Sequence, residues 1–298
     1  MLETCDQCGV EVNPRKIIPP TTCLEFLGIV VDSHNMELRI SEERLNSVLK
    51  ELHSWLGVKC GTKRALLSLI GKLVFVTRVV RPGRTFLRRL ITLSMKKKLL
   101  HHKVKLNIMA RDDILWWITC IRSWNKKSVF LDELWLTSID HHLYTDASGT
   151  GIGGVFANKW FADVLTPEEA CHSIAWRELF AVVMACYIWG SSLQGCRLLF
   201  HCDNISVVAI VNSGSSKCSF VMVLVRALYH IAVQHNFDVK LVHVPGVENV
   251  EADLLSRGLL ARFKSLYGNC YHELPTATSR DFVSPTFTGN LMDRSGSE

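Results

Sequence analysis

The order of hydrophobic segments from His141 onward constrains this 298-residue chain more than any other feature. His141–Ala147 and Ile152–Asn158 read as strands joined by a glycine-rich turn, and Trp160–Val164 offers a third. Trp176–Trp189 has the periodicity of a strong helix. Arg197–Cys202 is an apolar strand, Asn204–Val211 a short helix and Phe220–Gln234 a longer one. Phe237–Val244 returns as a strand, and Asn249–Leu260 closes the pattern as a helix. Three strands, then helix, strand, two helices, strand and helix predict an α/β fold: a mixed five-stranded sheet flanked by helices.

The first 130 residues follow a different grammar, a small hairpin followed by helices. Leu24–Val31 (LEFLGIVV) reads as one buried strand, Asp32–Asn35 as turn chemistry and Glu37–Ile40 as the returning strand. Ser41 is placed to cap a helix running to about Trp55, with Glu42 and Glu43 in its first turn where the dipole favours anions. Thr62 can cap a second helix through Val80, with Leu66, Leu69, Ile70 and Leu73 on one face. Arg81-Pro82-Gly83 is a sharp turn before a basic helix near Arg84–Ser94, and residues 108–123 form a further helix with Trp116 and Trp117. Residues 263–298 are rich in Ser, Thr, Pro and Gly and read as a tail or linker.

Hydrophobic content of 48% and charged content of 21% exclude a wholly disordered, collagen-like or coiled-coil chain. The net charge of +6 is modest, but it is unevenly placed. Residues 59–105 hold 14 Lys and Arg and no acid, while the remainder of the chain sums to −8. Unpaired like charges repel unless a polyanion neutralises them, which points to nucleic acid first and a membrane surface second. Eleven Cys without framework spacing suggest reduced thiols inside a cell, and Cys5-x-x-Cys8 has no second pair at zinc-ribbon spacing. The first residues lack the basic and apolar regions of a secretory signal, and the apolar run from Leu179 ends at Trp189, too short to span a bilayer. An intracellular location, cytoplasm or nucleus, without membrane attachment is expected.

Gly149-Thr-Gly151-Ile-Gly153-Gly154 satisfies G-x-G-x-x-G by letter, but a dinucleotide site needs a helix to open there. The strand-like Val155-Phe-Ala-Asn-Lys-Trp160 follows instead, so a tight hairpin is expected. Four carboxylates stand out by context. Asp146 and Asp203 end strands, Glu178 lies on an otherwise apolar helix, and Asp253 sits in the first turns of the last helix. Singly, strand-end Asp residues start turns and helix-start acids suit the dipole. Glu178 is harder to explain that way, because a carboxylate on a buried helix needs a partner or a cation. Four acids at such positions could converge on one pocket of the kind that a two-metal phosphoryl-transfer site requires.

Tyr144-Thr-Asp146-Ala-Ser-Gly149, Trp176-Arg-Glu178-Leu, His201-Cys-Asp203-Asn and Pro245-Gly-Val-Glu-Asn-Val-Glu-Ala-Asp253-Leu-Leu-Ser-Arg257 resemble the ribonuclease H domain of retroelement polyproteins. The match covers about residues 140–260, and the four blocks together are specific. Val211-Asn-Ser-Gly-Ser-Ser-Lys217 and Trp116-Trp117…Ser123-Trp124-Asn125 resemble DIRS-type, tyrosine-recombinase retrotransposons in particular. Residues 20–31 look like the end of a reverse-transcriptase palm. The division implied is a palm-end hairpin over 1–40, a basic helical thumb and connection over 41–137, a ribonuclease H domain over 138–262 and a flexible tail over 263–298.

The resemblance implies a ribonuclease H that cuts the RNA strand of RNA–DNA hybrids, with Mg²⁺ (two ions; Mn²⁺ also possible) as cofactor. Asp146 would bridge both ions, Glu178 and Asp203 would hold one, and Asp253 the other. Ser148, Gly149 and Asn204 would contact 2′-OH groups in the minor groove. Lys217, Arg84, Arg88, Arg89, Lys96, Lys97 and Lys98 would contact phosphates. No oligomeric state is implied. The family's pattern is not complete. No Tyr-x-Asp-Asp motif occurs, so no polymerase activity is expected, and the rest of the palm and the fingers would lie before Met1. The adjacent pair Asp112-Asp113 reads as solvated helix surface. A loop histidine found in many cellular ribonucleases H would fall at Val247, or at His243 if no gap is allowed. The loop Gly214–Ser219 carries only Lys217, too little for a basic substrate protrusion. A catalytically inactive, nucleic-acid-binding remnant of a retroelement is the alternative function.

Overall fold

A computed structural model describes residues 2–14, 17–124, 143–268 and 272–273. The chain opens with a short helix α1 (Leu2–Gln7), followed by an antiparallel sheet of β1 (Cys23–Phe26), β2 (Ile29–Asp32) and β3 (Glu37–Ile40) in that order. Leu24–Val31 is therefore not one strand. It folds back at Leu27 and Gly28, whose φ angles are +51° and +83°. A two-residue hairpin loop of this kind needs positive φ at both central positions, and Gly28 meets that need without steric cost. Nor is β1 buried, since Phe26 is 63% exposed. The turn after β2 is the expected one: the Asp32 carboxylate accepts from the backbone N–H groups of His34 and Asn35 at 3.1 and 2.9 Å.

A helical layer follows, formed by α2 (Glu42–Gly57), α3 (Lys63–Val76), a 3₁₀ segment (Arg81–Leu87), α4 (Arg88–Met95) and α5 (Ile108–Trp124). Ser41 stands at the N-cap of α2 but its hydroxyl makes no capping bond, so the acidic first turn favours that end unaided. Thr62 does cap α3, accepting from the Ala65 N–H at 3.2 Å. This helix stops at Val76 rather than Val80: the Thr77 hydroxyl bonds the Val74 carbonyl at 2.7 Å, and Pro82 cannot continue a helix. The basic segment after Pro82 accordingly splits into a 3₁₀ turn and α4. A ribbon of β4 (Cys60–Thr62) and β5 (Lys103–Lys105) closes this layer, and no sequence signal marks it.

The second half is a mixed α/β layer. Its strands are β6 (Tyr144–Ala147), β7 (Gly151–Phe156), β8 (Lys159–Val164), β9 (Arg197–Cys202) and β10 (Asp238–His243). The spatial order is β10-β9-β6-β7-β8, with β6, β7 and β8 antiparallel and β9 and β10 parallel to β6. This is the five-stranded mixed sheet expected. A two-residue strand, β11 (His272–Glu273), adds in parallel to β8. Helices α6 (Pro167–Ala170), α7 (Ile174–Trp189), α8 (Ile205–Ser213) and α9 (Ser219–His235) connect the strands, followed by α10 (Val250–Ser256) and α11 (Leu260–Tyr267). The single last helix expected to Leu260 is thus broken in two at Gly258, where φ is +71°.

Helix α7 is apolar almost all round, and residues 179–186 are fully buried between the sheet and α9. The helical layer has its own core, built on Leu52, Leu66, Leu73, Phe86, Trp116 and Trp117. The two cores meet along α9, whose Val233 packs into the helical core and whose Tyr229 touches both. Polar links cross the same seam. Trp116 Nε1 lies 3.2 Å from His230 Nδ1, and Asp113 sits between Arg89 at 3.0 Å and Arg226 at 3.3 Å. Asp113 is 1% exposed, which corrects its reading as solvated surface. Its apolar neighbours on α5 turn that face inward, and two guanidinium groups compensate the carboxylate.

Candidate active site

Asp146 lies on the central strand β6, opposite Gly153 of β7. Glu178 projects from the second turn of α7, a helix started by the Ser173 side chain, which accepts from the Trp176 N–H at 3.3 Å. Asp203 comes directly after β9, where the chain turns into α8, and Asp253 lies on α10. Four separate elements therefore bring the four carboxylates to one open cleft of about 420 Å³, whose lining also includes Asn204 and Arg257.

Close packing of α10 on β7 delivers Asp253. A Cβ on Gly151 would stand 2.7 Å from the Ser256 carbonyl, and one on Gly153 would stand 2.8 Å from the Ser256 nitrogen. Gly151 and Gly153 of the G-x-G-x-x-G string are thus strand residues that let a helix lie against the backbone. The hairpin turn itself is Ser148–Thr150. Asn249 donates from Nδ2 to the Thr145 carbonyl at 3.0 Å and fixes the entry to α10. Ser256 donates its hydroxyl to Asp146 Oδ2. Arg257 Nε donates to Asp253 Oδ1 at 2.6 Å, one helical turn on.

The electrostatics are those of two buried carboxyls, Asp146 and Glu178, beside two half-buried ones, Asp203 and Asp253. Burial, with Asp203 and Asp253 adding to it, raises the Asp146 carboxyl to about 6 despite the Ser256 hydrogen bond. Burial, with Asp146 and Asp203 adding to it, raises Glu178 to about 9. Burial also pushes up the neighbouring Cys202 thiol. Glu178 is 3% exposed, and its Oε2 has no hydrogen-bond partner. One ligand atom each from Glu178, Cys202 and Asp203 lies within 4.8 Å of the others. The carboxylate oxygens of the cleft are hard donors that suit Mg²⁺ or Mn²⁺, whereas the Cys202 thiol is not such a donor, and Asp253 and Asp146 already have one oxygen each engaged by Arg257 and Ser256. The orphaned Glu178 oxygen is the polar atom that such an ion would satisfy.

The other expected contact residues are dispersed. The Ser148 hydroxyl accepts from Thr150 and Gly151 N–H groups and donates to the Ser256 carbonyl at 2.7 Å, so it holds the turn to α10. Gly149 is exposed at the turn. Asn204 lines the cleft while its Oδ1 caps α8, accepting from Ser206 and Val207. Lys217, Arg84, Arg88 and Lys96–Lys98 are exposed. Arg89 is tied to the Met109 carbonyl at 2.8 Å and to Asp113. Sequence reasoning does not single out Ser256, Asn249, Arg257 or Arg177, which donates to the Ser148 carbonyl at 2.6 Å. Of these only Arg257 carries a local signal, its i,i+4 spacing from Asp253. Val247 is 83% exposed in the loop before α10, whereas His243 is a strand residue paired with Cys202.

Comparison of the sequence with protein-family models and with curated proteins returns no match. Among solved structures the chain is similar to the foamy viral protease-reverse transcriptase dRH in complex with double-stranded DNA. Identity is 13% and the TM-score 0.32, over 74% of this chain and 38% of that one. It is also similar to the foamy viral enzyme in complex with an RNA/DNA hybrid, at 10% identity and TM-score 0.31, over 74% and 29% of the two chains. The complex with double-stranded DNA gives 12% identity and 0.31, over 75% and 45%. This chain spans less than half the length of the chains it matches. At this level the likeness assigns a role to no residue.

Proposed function

We propose that the chain is a metal-dependent ribonuclease H that cuts the RNA strand of RNA–DNA hybrids, as the nuclease part of a retroelement reverse transcriptase. The observation that carries this reading is the convergence of Asp146, Glu178, Asp203 and Asp253 from four elements on one cleft, with a buried Glu178 oxygen left without a partner. Such a cluster is costly for a fold that does not bind a cation.

Asp146, Glu178, Asp203 and Asp253 would hold the Mg²⁺ ions. When bound, the ions lower the pKa of a water and stabilise the leaving oxygen of a phosphodiester. Ser256 keeps one Asp146 oxygen oriented and leaves the other for ligation. Arg257 engages one Asp253 oxygen and limits the swing of that carboxylate at the rim. The Asn204 amide sits on the wall of the cleft, where it can meet a ribose or phosphate oxygen. The test is incubation of the purified chain with a labelled hybrid and Mg²⁺, beside Asp146→Asn. The wild-type chain cuts and the variant does not. Cleavage by both, or by neither, defeats the enzymatic reading and leaves the non-catalytic one.

A further inference from the structure

Another cleft of about 420 Å³ opens at the seam between the helical layer and the α/β layer. One wall is the 3₁₀ segment and the start of α4, which present Arg81, Arg84 and Arg88; the other is the end of α8, with Gly214 and Ser215. Arg81 is partly answered by Asp238 at 3.7 Å. No carboxylate among the described residues pairs with Arg84 or Arg88. Of the fourteen cations over residues 59–105, Lys72, Arg81 and Arg89 meet an acid among the described residues, and Arg84 and Arg88 differ from the other unpaired ones in sharing one cleft. The wall of small residues is firmly placed, since Asn212 exchanges hydrogen bonds of 2.9 Å with the Leu241 backbone in both directions.

The cleft is also lined by Asp238 and the C-terminal end of α8, but three Arg against one Asp leave it net cationic, and the planar fork of Arg suits phosphate. Position adds to this. Helix α8 runs from Asn204, in the carboxylate cleft, to Gly214, in the basic one. Its nine residues cover about 14 Å at roughly 1.5 Å each. That length corresponds to about four nucleotides of one strand at roughly 3.4 Å per phosphate. We infer that this cleft binds a backbone phosphate of the nucleic acid on which the carboxylate cleft acts, through Arg84 and Arg88. The inference rests on the nucleic-acid part of the function proposed above. It does not depend on catalysis.

The experiment is binding of a fluorescent RNA–DNA hybrid across a salt series, with the full chain in an Asp146→Asn background so that the probe survives. Arg84→Ala/Arg88→Ala should weaken binding by tenfold or more and lower the slope of log K against log salt by about 0.9, the contribution of the one phosphate that is no longer neutralised. Val74→Glu, which puts an anion into the cleft at a half-exposed helix position, should weaken binding with every Arg retained. Lys103→Ala/Lys105→Ala removes equal charge from outside the cleft and should cost less. An unchanged slope in the arginine variant, or an equal loss in the lysine control, overturns the inference. So does a site that takes only inorganic phosphate, seen as anion binding that vanishes in the arginine variant while hybrid affinity stays. Hybrid binding that depends on Arg84 and Arg88 without any cleavage by the Asp146 form would sustain the inference and sink the nuclease. Absence of all nucleic-acid binding would sink both.

Discussion

The Ser256 hydroxyl donates to Asp146 Oδ2 across 110 residues of sequence, joining the last helix of the site to its central strand. This bond lowers the pKa of a carboxyl that burial raises, so it favours the ionised form that would bind a metal ion. Ser256→Ala should cut kcat/KM by roughly 10–100-fold, the usual cost of losing a hydrogen-bond partner behind a metal ligand. A shift of the metal requirement to higher pH should accompany the loss. A variant with wild-type kinetics would show that the bond does not orient Asp146.

Without metal, the site should make the fold pH-sensitive. Burial holds Asp146 near 6 and Glu178 near 9, both above their unfolded values. A native state that binds more protons than the unfolded one loses stability as pH rises. That contribution is complete below about 4 and disappears as pH passes through about 6 and then about 9. Unfolding in chelator should therefore show falling stability over this window, and Glu178→Gln should flatten its upper half. Added Mg²⁺ should reverse the trend, because its ligands must be deprotonated.

The seam between the layers depends on a buried ion cluster. Arg226→Ala would leave Asp113, 1% exposed, with Arg89 alone. Removal of one partner of a buried pair costs about 3–5 kcal/mol. Denaturant unfolding should register a loss of this size, and Asp113→Leu/Arg226→Met should recover much of it. A loss below about 1 kcal/mol, the range of surface pairs, would show that the seam does not rely on these charges.

Gly153→Ala should act on the site through the backbone. The new Cβ would press on Leu255 and on the Ser256 nitrogen, displacing α10 and with it Asp253. Overpacking of this kind costs about 1–3 kcal/mol. Activity should fall further than the drop in folded fraction explains, and the comparison of residual activity with melting checks this.

The four carboxylates are legible in the sequence because each occupies a place where local context is informative: a strand end, an apolar helix, a first helical turn. The sheet is legible for the same reason, since its strands are short apolar runs bounded by turns. What escapes depends on partners far along the chain. Ser256 carries no signal without Asp146, and Asp113 looks solvated until Arg226, 113 residues away, is placed beside it. Leu24–Val31 misleads because a lone Gly28 inside a strand-like segment does not by itself mark a reversal, and Leu27, where φ first turns positive, carries no mark at all. The glycines of β7 are recognisably unsuited to a dinucleotide, but their role emerges only once α10 lies on them. The basic stretch, uniform in sequence, divides in the fold into Lys72, Arg81 and Arg89, which meet an acid among the described residues, and a larger remainder that does not.

The ribonuclease H activity proposed for the carboxylate cleft cuts RNA and not DNA. Its most direct measurement labels each strand of one hybrid in turn and follows both with purified chain and Mg²⁺. Shortening of the RNA strand alone, abolished by chelator and by Asp146→Asn, is the predicted result. Cleavage of the DNA strand, cleavage that persists in Asp146→Asn, or two intact strands would contradict it.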